Sequence, residues 1–314
     1  MQTYSFVLLV AHQPRAPTTS ETLYRSIDST GSRLPPKPLP NALSSDPAEV
    51  DISVIVPAYN ERERLPVMLA EAVDHLHKTY SDSYEILLVD DGSTDDTVDI
   101  ALDWCVARLE KGDLLPDQLR VVSLSSNRGK GGAVAHGMRH IRGRSAIFAD
   151  ADGATKFGDL AGLAEKIKGA ESEGYGIAVG SRAHMVTTDA VVKRSWIRNL
   201  LMYSFHTLLK TVGVREVRDT QCGFKLFTRP AAQAVFRDMR TEGWIFDIEI
   251  LLLARYKGIP VVEVPVNWHE VEGTKLELVK DSLRMAWDLA VVRLGYATGV
   301  YTVGAGGPGR DLLR

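Results

Sequence analysis

The sequence predicts an α/β protein with a mostly parallel central sheet and helices on both faces. From Asp51 onward, short β-branched runs alternate with stretches of helical length, a pattern typical of parallel strands joined by helices. Several of these runs also end in a charged or glycine-rich loop. Because ligands in such sheets bind beyond the carboxyl ends of the strands, these loops together predict one composite site.

Composition limits the class of protein. The chain has 314 residues, 45% of them hydrophobic and 25% charged, which is ordinary for a soluble globular protein with one large domain and extensions. The net charge of -3 gives no global basic field for nucleic acid. Cys105 and Cys222 are the only cysteines, which favours a reducing, cytosol-facing location over a disulfide framework.

The two ends of the chain are predicted to lie outside the main domain. The apolar run at residues 6–11 is too short to span a bilayer and is interpreted as the remnant of a membrane anchor. Residues 12–50 are rich in proline and predict a linker that wraps the domain or joins it to something else. We therefore expect an extension at 1–50, a main domain at 51–270, and an amphipathic helix with a flexible tail at 271–314.

The predicted elements follow the alternation in order. Apolar runs predict strands at 52–56, 84–89, 119–124, 146–149, 177–180 and 260–266, with a short strand inside 219–227. Helical spacing predicts helices at 65–78, from about 96 to 111, and from the glycine-rich run at 129–132 to about 141. It also predicts helices at 189–212, at 230–239, after 249 and ending near 256, and at 276–296.

Asp150 and Asp152 follow the fourth predicted strand. In an extended segment residues i and i+2 point the same way, so both carboxylates face one point beyond the strand. Two close carboxylates repel each other unless a cation lies between them, and a hard divalent ion shared with substrate phosphates suits that position. A capped loop with two solvated aspartates is the alternative for an isolated pair. Its place among other strand-end motifs favours the ion.

Two further strand-end loops carry polar or glycine residues. Asp90 and Asp91 precede Gly92, which fits either a ligand site or a turn with helix caps. Residues 129–132 read Gly-Lys-Gly-Gly before a helix, where glycine allows close backbone approach and the helix N-terminus favours an anion. This run is neither a dinucleotide fingerprint nor a P-loop. Together with the carboxylate pair, both loops favour a nucleotide site.

Four motifs occur in the order and spacing of the family 2 glycosyltransferases: VPAYNE at 56–61, VDDGSTD at 89–95, NRGKGGA at 127–133 and DAD at 150–152. This resemblance implies a GT-A fold whose first half binds a nucleotide sugar. Much of the remainder resembles a narrower group within the family, the dolichyl-phosphate β-glucosyltransferases, at residues 180–182, 219–225, 264–276 and 281–289. Those enzymes normally begin with a membrane helix, and only a stub here resembles its last turns.

The resemblance implies a role for each donor-side motif. Asp152 is expected to be the main ligand of a Mg2+ or Mn2+ ion that bridges the diphosphate and stabilises the departing nucleoside diphosphate. Asp150 is expected to contact the ribose, or the ion through water. The other residues expected to bind the nucleotide sugar are Pro57, Tyr59, Glu61, Asp90, Asp91, Lys130 and Gly131.

The implied acceptor is dolichyl phosphate, a lipid monophosphate that needs cations to position it more than a strong base. The residues expected to supply this charge are Arg182, Lys193, Arg194 and Arg198, of which the last three also fit a solvated helix start. Asp219 is expected nearest the reacting centre, either orienting an acceptor-binding arginine or acting as a weak base. Asp247 is a second candidate, with a helix cap or a structural ion pair as its alternative.

The resemblance thus implies an inverting enzyme that moves glucose from UDP-glucose to dolichyl phosphate, for N-glycan precursor assembly at the cytosolic face of the endoplasmic reticulum membrane. The alternatives are a mannosyltransferase using GDP-mannose and a non-catalytic nucleotide-sugar-binding protein. A nucleotidyltransferase is disfavoured because it would have a Gly-rich, basic loop after the first strand. The helix predicted at 276–296 fits the membrane surface or packing against the domain equally well.

Overall fold

A seven-stranded sheet forms the centre of the computed structural model, which describes residues 2–44, 46–187, 217–271 and 278–308. In spatial order the strands are β5 (Leu119–Ser123), β4 (Tyr84–Asp90), β3 (Val50–Ala58), β6 (Gly143–Ala149), β8 (Phe224–Thr228), β7 (Ile177–Ser181) and β9 (Val261–Pro265). β8 runs antiparallel to β6 and β7, and the other pairs are parallel. The predicted mostly parallel sheet is confirmed.

Both faces of the sheet are buried, as the continuous apolar strands require. Along β3, Ile55 faces one hydrophobic cluster, whereas Val54 and Val56 face the other, because successive side chains of a strand alternate between its faces. All three side chains are fully buried. Helices among the described residues pack on each face, so ligand-binding loops are expected at the strand ends.

The described residues contain eight α-helices: α1 (Gln2–Val10), α2 (Leu65–Tyr80), α3 (Thr97–Glu110), α4 (Lys130–Met138), α5 (Leu160–Ala170), α6 (Arg229–Asp238), α7 (Phe246–Tyr256) and α8 (Leu278–Ala297). Six of them follow the predicted order, whereas α1 and α5 were not predicted as helices. The helix predicted at 189–212 lies outside the described residues.

The segment before β3 lies along the sheet. β1 (Leu23–Tyr24) pairs antiparallel with β2 (Lys37–Pro38), and Arg25 pairs with Val121 of β5. Ile27 and Ala42 are buried in the hydrophobic clusters on opposite faces of the sheet. Of the two alternatives for the proline-rich segment, its described part therefore wraps the domain.

The apolar run at residues 6–11 lies in and just after α1, which packs against α8. The Phe6 and Trp287 rings meet edge to face, with centroids 6.4 Å apart, and the His12 imidazole lies 3.6 Å from the Asp288 carboxylate. Val7 is fully buried in this contact region, whereas Leu9 is 86% exposed. Within the described residues, no helix has the length and apolar character needed to cross a bilayer.

Candidate functional site

The sequence-predicted motifs meet at one edge of the sheet. Ala58 at the end of β3 pairs with Asp90 at the end of β4, while Asp150 follows β6 and Arg182 follows β7. Because β8 runs in the opposite direction, its amino end reaches this same edge, where Phe224 pairs with Ala149. Loops from both halves of the chain therefore converge around the carboxylate pair.

Asp150 is held between Lys130 and Gly223. The Lys130 ammonium lies 2.6 Å from Asp150 Oδ1, and the Asp150 backbone N–H donates to the Gly223 carbonyl at 3.2 Å. A Cβ atom at position 223 would lie 2.1 Å from Asp150 Oδ2, far inside van der Waals contact. Gly223 is thus required for the carboxylate to occupy this position.

Asp152 follows Asp150 two residues later in the same loop. Its Oδ1 accepts a hydrogen bond from the Ala154 backbone N–H at 2.9 Å, closing a tight turn, and the side chain is partly exposed. Within residues 2–44, 46–187, 217–271 and 278–308, no cluster of three or more His, Cys, Asp or Glu side chains could hold a metal. The Asp150 and Asp152 pair fits an ion that takes one or two protein carboxylates and completes its shell with substrate phosphates.

Behind the carboxylate pair, opposite charges alternate into the interior. The Lys225 ammonium is fully buried and donates to Asp247 Oδ1 at 2.5 Å and to the Cys222 carbonyl at 2.6 Å. Burial raises the pKa of Asp247 despite the opposing charges of Lys225 and Lys130. Burial alone would lower the pKa of Lys130, but the negative charges of Asp150 and Asp247 outweigh this effect, so the pKa is raised above its ordinary value. Of the alternatives for Asp247, the structure shows the ion pair.

Asp90 and Asp91 have different surroundings. Both oxygens of Asp91 accept backbone hydrogen bonds, from Arg128 N–H at 2.7 Å and Gly129 N–H at 2.9 Å. Burial raises the pKa of Asp91 to about 6, and those two hydrogen bonds oppose the effect. Asp90 Oδ1 accepts from the Ser93 N–H at 3.0 Å. Asp91 therefore fixes the loop after β5, whereas Asp90, buried at the end of β4, holds the turn to Ser93.

The loop after β3 is anchored to the loop after β4. Asn60 has a left-handed backbone (φ 53°), and its side-chain oxygen accepts from the Thr94 N–H at 2.8 Å. Glu61 forms a two-nitrogen ion pair with Arg64, both contacts at 2.7 Å. Tyr59 is 36% exposed, and Pro57 lies within β3. Tyr59 therefore lies at the sheet edge where the nucleotide is predicted, while Glu61 is paired with Arg64, the residue immediately before α2.

The glycines just before α4 and in its first turn are explained by packing within the protein. A Cβ at Gly131 would lie 2.6 Å from Phe246 Cβ, and one at Gly129 would lie 2.6 Å from the Glu242 carbonyl. Gly129 also has φ +85°, which disfavours other residues. The segment around Glu242 therefore lies directly on this loop. The predicted contact of Gly131 with the nucleotide remains a prediction.

Arg182 and Asp219 form a fork at the other side of the site. Arg182 Nε and Nη2 donate to the two Asp219 oxygens at 2.6 and 2.8 Å, and the Arg182 backbone N–H adds a third bond at 2.9 Å. Burial raises the pKa of Asp219, but the Arg182 hydrogen bonds bring it below its ordinary value. The guanidinium also lies over the Trp268 ring, 5.5 Å from its centroid. Asp219 is thus placed to orient the arginine.

The segment after β9 closes the site beside the carboxylate pair. The Lys156 N–H donates to the Asn267 carbonyl, and the His269 N–H donates to the Ala154 carbonyl, both at 2.9 Å. This pairing puts Trp268 next to the loop that contains Asp152. The adjoining open groove, of about 390 Å³, is lined by Glu71, Lys156, Asn267, Trp268 and His269.

The structure also identifies site residues to which sequence reasoning gave no role. Gly223 and Lys225 belong to the DTQCGFK motif, in which only Asp219 was selected, and Glu242 has no local motif to mark it. The proximity of Gly223 to Asp150 depends on the antiparallel β8, which strand alternation does not predict. Lys193, Arg194 and Arg198 lie outside the described residues.

Comparison with known proteins identifies the family. The model of the family described as Glycosyl transferase family 2 matches residues 53–236. The chain is 47% identical over 306 residues to a dolichyl-phosphate beta-glucosyltransferase of Saccharomyces cerevisiae, covering 95% of this chain and 90% of that protein. It is 44% identical over 256 residues to the human dolichyl-phosphate beta-glucosyltransferase, covering 80% and 77%.

The fold is shared with a solved bacterial enzyme. Glucosyl-3-phosphoglycerate synthase from Mycobacterium tuberculosis, solved with UDP, superposes with a TM-score of 0.54 and 18% identity, over 79% of this chain and 81% of that one. At that identity the likeness concerns the fold alone. The GT-A architecture is thereby confirmed, and the family match covers more than half of the chain. The chain belongs to glycosyl transferase family 2.

Proposed function

We propose that this enzyme transfers glucose from UDP-glucose to dolichyl phosphate, giving dolichyl β-D-glucosyl phosphate with inversion at the anomeric carbon. The observation that carries the proposal is the 47% identity, over 95% of this chain, to the yeast dolichyl-phosphate beta-glucosyltransferase. The geometry is consistent with it, because one edge of the sheet combines a carboxylate pair with an arginine held by an aspartate. These are the groups that a diphosphate donor and a phosphate acceptor require.

The donor side rests on the loops after β3, β4 and β5. Asp90 ends β4 and Tyr59 follows β3, at the edge where the nucleoside would lie, and Asp91 keeps the neighbouring loop in place through two backbone amides. Hydrogen bonds to a charged carboxylate contribute about 1.5–3 kcal/mol, so a single Asp90 contact to a base or ribose is significant for binding. Lys130 adds a positive charge beside Asp150, suited to the diphosphate.

Asp152, with Asp150, would hold a Mg2+ or Mn2+ ion. A related fold, the mycobacterial glucosyl-3-phosphoglycerate synthase, was crystallised with Mn2+ and UDP-glucose (TM-score 0.52, 17% identity). When bound, such an ion supplies Lewis-acid stabilisation of the charge that develops on the leaving diphosphate. Lys130 would share that task when the ion is bound, and it would neutralise Asp150 when the ion is absent.

The acceptor side rests on Arg182. Its fork with Asp219 fixes the guanidinium plane, and a planar guanidinium suits phosphate recognition. A phosphate monoester is already anionic at neutral pH, so its oxygen attacks the anomeric carbon directly without transferring a proton to a base. Asp219, whose pKa is lowered by Arg182, would orient the arginine. Lys193, Arg194 and Arg198 remain proposed contributors to this phosphate site.

The surface formed by α1 and α8 is the proposed contact with the membrane. Exposed apolar side chains on it are Tyr4, Phe6, Leu8, Leu9, Trp287 and Leu294. Aromatic residues favour the headgroup boundary of a bilayer, and an apolar helix face binds there. A lipid-linked acceptor resides in such a bilayer. We propose the cytosolic face of the endoplasmic reticulum membrane as the location, where the product serves N-glycan precursor assembly.

A donor panel tests the proposal. Purified protein is given radiolabelled UDP-glucose or GDP-mannose with dolichyl phosphate, each with and without a metal chelator. We expect lipid-extractable label from UDP-glucose alone, and its loss on chelation followed by recovery with Mg2+ or Mn2+. Transfer from GDP-mannose in place of UDP-glucose would contradict the donor assignment, and full activity with chelator would contradict the metal.

A further inference from the structure

A buried glutamate in the N-terminal segment lies against the donor side of the site. Glu21 is fully buried, and its carboxylate accepts from the Ser125 N–H at 2.7 Å, the Ser125 hydroxyl at 2.8 Å and the Thr18 N–H at 2.8 Å. Ser125 lies in the loop after β5. The segment that wraps the sheet edge is therefore bonded directly to the loop that precedes α4.

Arg15 completes this contact from the solvent side. Its guanidinium donates to both Glu21 oxygens, at 2.7 and 2.5 Å, and reaches the Ser125 and Ser126 hydroxyls at 3.3 and 3.5 Å. The hydrogen bond from Arg15 is the largest factor in lowering the pKa of Glu21 below its ordinary value. Without Arg15, the buried carboxylate would lose its only cation among these partners, and a buried charge without its partner is costly.

The contact continues to the predicted nucleotide site. The Arg15 carbonyl accepts from Arg128 Nη2 at 3.1 Å, and the Arg128 N–H donates to Asp91. On the other side, Arg128 Nε donates to Glu242 Oε1 at 2.7 Å. The loop is also packed tightly against the loop after β4, because a Cβ at Gly92 would lie 3.0 Å from the Asn127 nitrogen. A displaced loop after β5 would therefore move Asp91 and its neighbours.

We infer that Arg15 and Glu21 are positioning residues for the donor: they hold residues 125–129 in the place that the nucleotide requires. This inference rests on the proposed function, since it assigns the adjacent site to a nucleotide sugar. It gives a catalytic-domain role to a segment that lies outside the matched family region at 53–236. Neither residue touches the donor; both act through the backbone that contacts Asp91.

The test compares Arg15→Ala with Arg33→Ala. Both arginines lie in the N-terminal segment and form ion pairs with the domain, but Arg33 reaches Asp99 and Asp103 on α3, away from the site. Calorimetry with UDP and Mn2+ measures nucleotide binding, and initial rates give KM for UDP-glucose and for dolichyl phosphate. We expect Arg15→Ala to raise the UDP Kd and the UDP-glucose KM about tenfold, or about 1.4 kcal/mol.

The acceptor KM and kcat should change less than twofold in Arg15→Ala, and every constant of Arg33→Ala should stay within twofold of the native value. Arg15→Lys, which keeps the charge but lacks the two-nitrogen fork, should restore part of the donor affinity. Hydrogen exchange of the peptide covering residues 125–132 should accelerate in Arg15→Ala and not in Arg33→Ala. If Arg15→Ala does not fold, Arg15→Lys decides the question through the same donor and acceptor constants.

Three results would overturn the inference. An unchanged UDP Kd in folded Arg15→Ala would remove the positioning role and leave the proposed function intact. Equal rises in donor and acceptor KM would indicate general loosening of the fold. Failure of the native protein to bind UDP at all would overturn the proposed function and, with it, this inference.

Discussion

The two ends of the central sheet both carry buried or half-buried charges, and they use them differently. At the amino ends of the strands, Glu85 is fully buried and accepts from the Ser53 hydroxyl at 2.5 Å, from the Arg142 N–H and Nε at 2.7 Å, and from the Arg120 guanidinium. At the carboxyl ends, Asp150 and Asp152 are partly exposed. The first cluster is enclosed, and the second opens to a ligand.

The difference lies in how the charges are compensated. Burial raises the pKa of Glu85, but Arg120 and Arg142 more than reverse this and bring it below the ordinary value. The Arg120 guanidinium also lies 4.9 Å from the Tyr24 ring centroid, which ties the N-terminal segment to this cluster. At the other edge two carboxylates stand two residues apart beside one lysine, Lys130. Among the described residues, Lys130 pairs with one of these two carboxylates, which leaves a negative charge for a cation to neutralise.

The largest effect is expected when one carboxylate of the open pair is neutralised. Asp152→Asn should lower kcat by about 10³-fold or more, since a group that stabilises transition-state charge contributes on that scale. The melting temperature should stay the same or rise, because repulsion with Asp150 is relieved. Steady-state rates with UDP-glucose and dolichyl phosphate, together with thermal unfolding, provide the measurement. Activity within tenfold of native would contradict the assigned role.

The opposite result is expected at the enclosed cluster. Glu85→Gln should destabilise the protein by about 3–5 kcal/mol, because Arg120 and Arg142 lose their buried partner. Chemical denaturation measures this loss, and rates corrected for the folded fraction should stay within about twofold of native. Asp103→Asn, which removes an exposed ion pair with Arg33, is the control and should leave the denaturation midpoint unchanged. A selective loss of catalysis in Glu85→Gln would erase the distinction between the two ends.

Asp91 combines features of both ends and gives a pH dependence. Burial raises its pKa to about 6 in the folded protein, against 3.8 ordinarily. Between about pH 4 and pH 6, the folded state therefore holds a proton that the unfolded state has released. The stability associated with Asp91 is therefore complete below about pH 4 and is lost as the pH rises toward 6, by roughly 2–3 kcal/mol.

The free energy of unfolding of native protein and Asp91→Asn, measured from pH 4 to pH 7, isolates this group. The native value should fall relative to the variant across that interval. A difference that is constant with pH would show that the two amide hydrogen bonds from Arg128 and Gly129 keep Asp91 ionised throughout.

The smallest effect is expected from a substitution that moves a carboxylate of the open pair without removing it. Gly223→Ala places a Cβ against the Asp150 carboxylate and should reduce kcat/KM about 30-fold, or about 2 kcal/mol, with a modest loss of stability. Gly169→Ala, at an exposed helix position with no atom near the new Cβ, is the matched control and should be neutral or slightly stabilising. Equal activity of both variants would show that Asp150 can move freely.

Much of the fold and the donor side of the site was predictable from the sequence. Strand alternation placed Asp90, Asp91, Asp150 and Asp152 at one sheet edge, because parallel strands share that edge whatever their order. The glycines around Lys130 were attributed to nucleotide approach, whereas Gly129 and Gly131 also make room for the segment from Glu242 to Phe246. That requirement arises from a contact more than 100 residues distant in the chain, and no local pattern reports it.

Most strands and helices, their order and the residue types available for chemistry were predictable from the sequence, since these follow from local periodicity and from motifs of fixed spacing; the helices α1 and α5 and the short strands β1 and β2 were not. The three-dimensional packing established which groups meet. It inserted β8 antiparallel between β6 and β7, put Gly223 against Asp150, paired Asp247 with Lys225, and brought Glu21 to Ser125. These contacts join distant segments, and they depend on strand order and packing of the whole sheet, which local sequence does not encode.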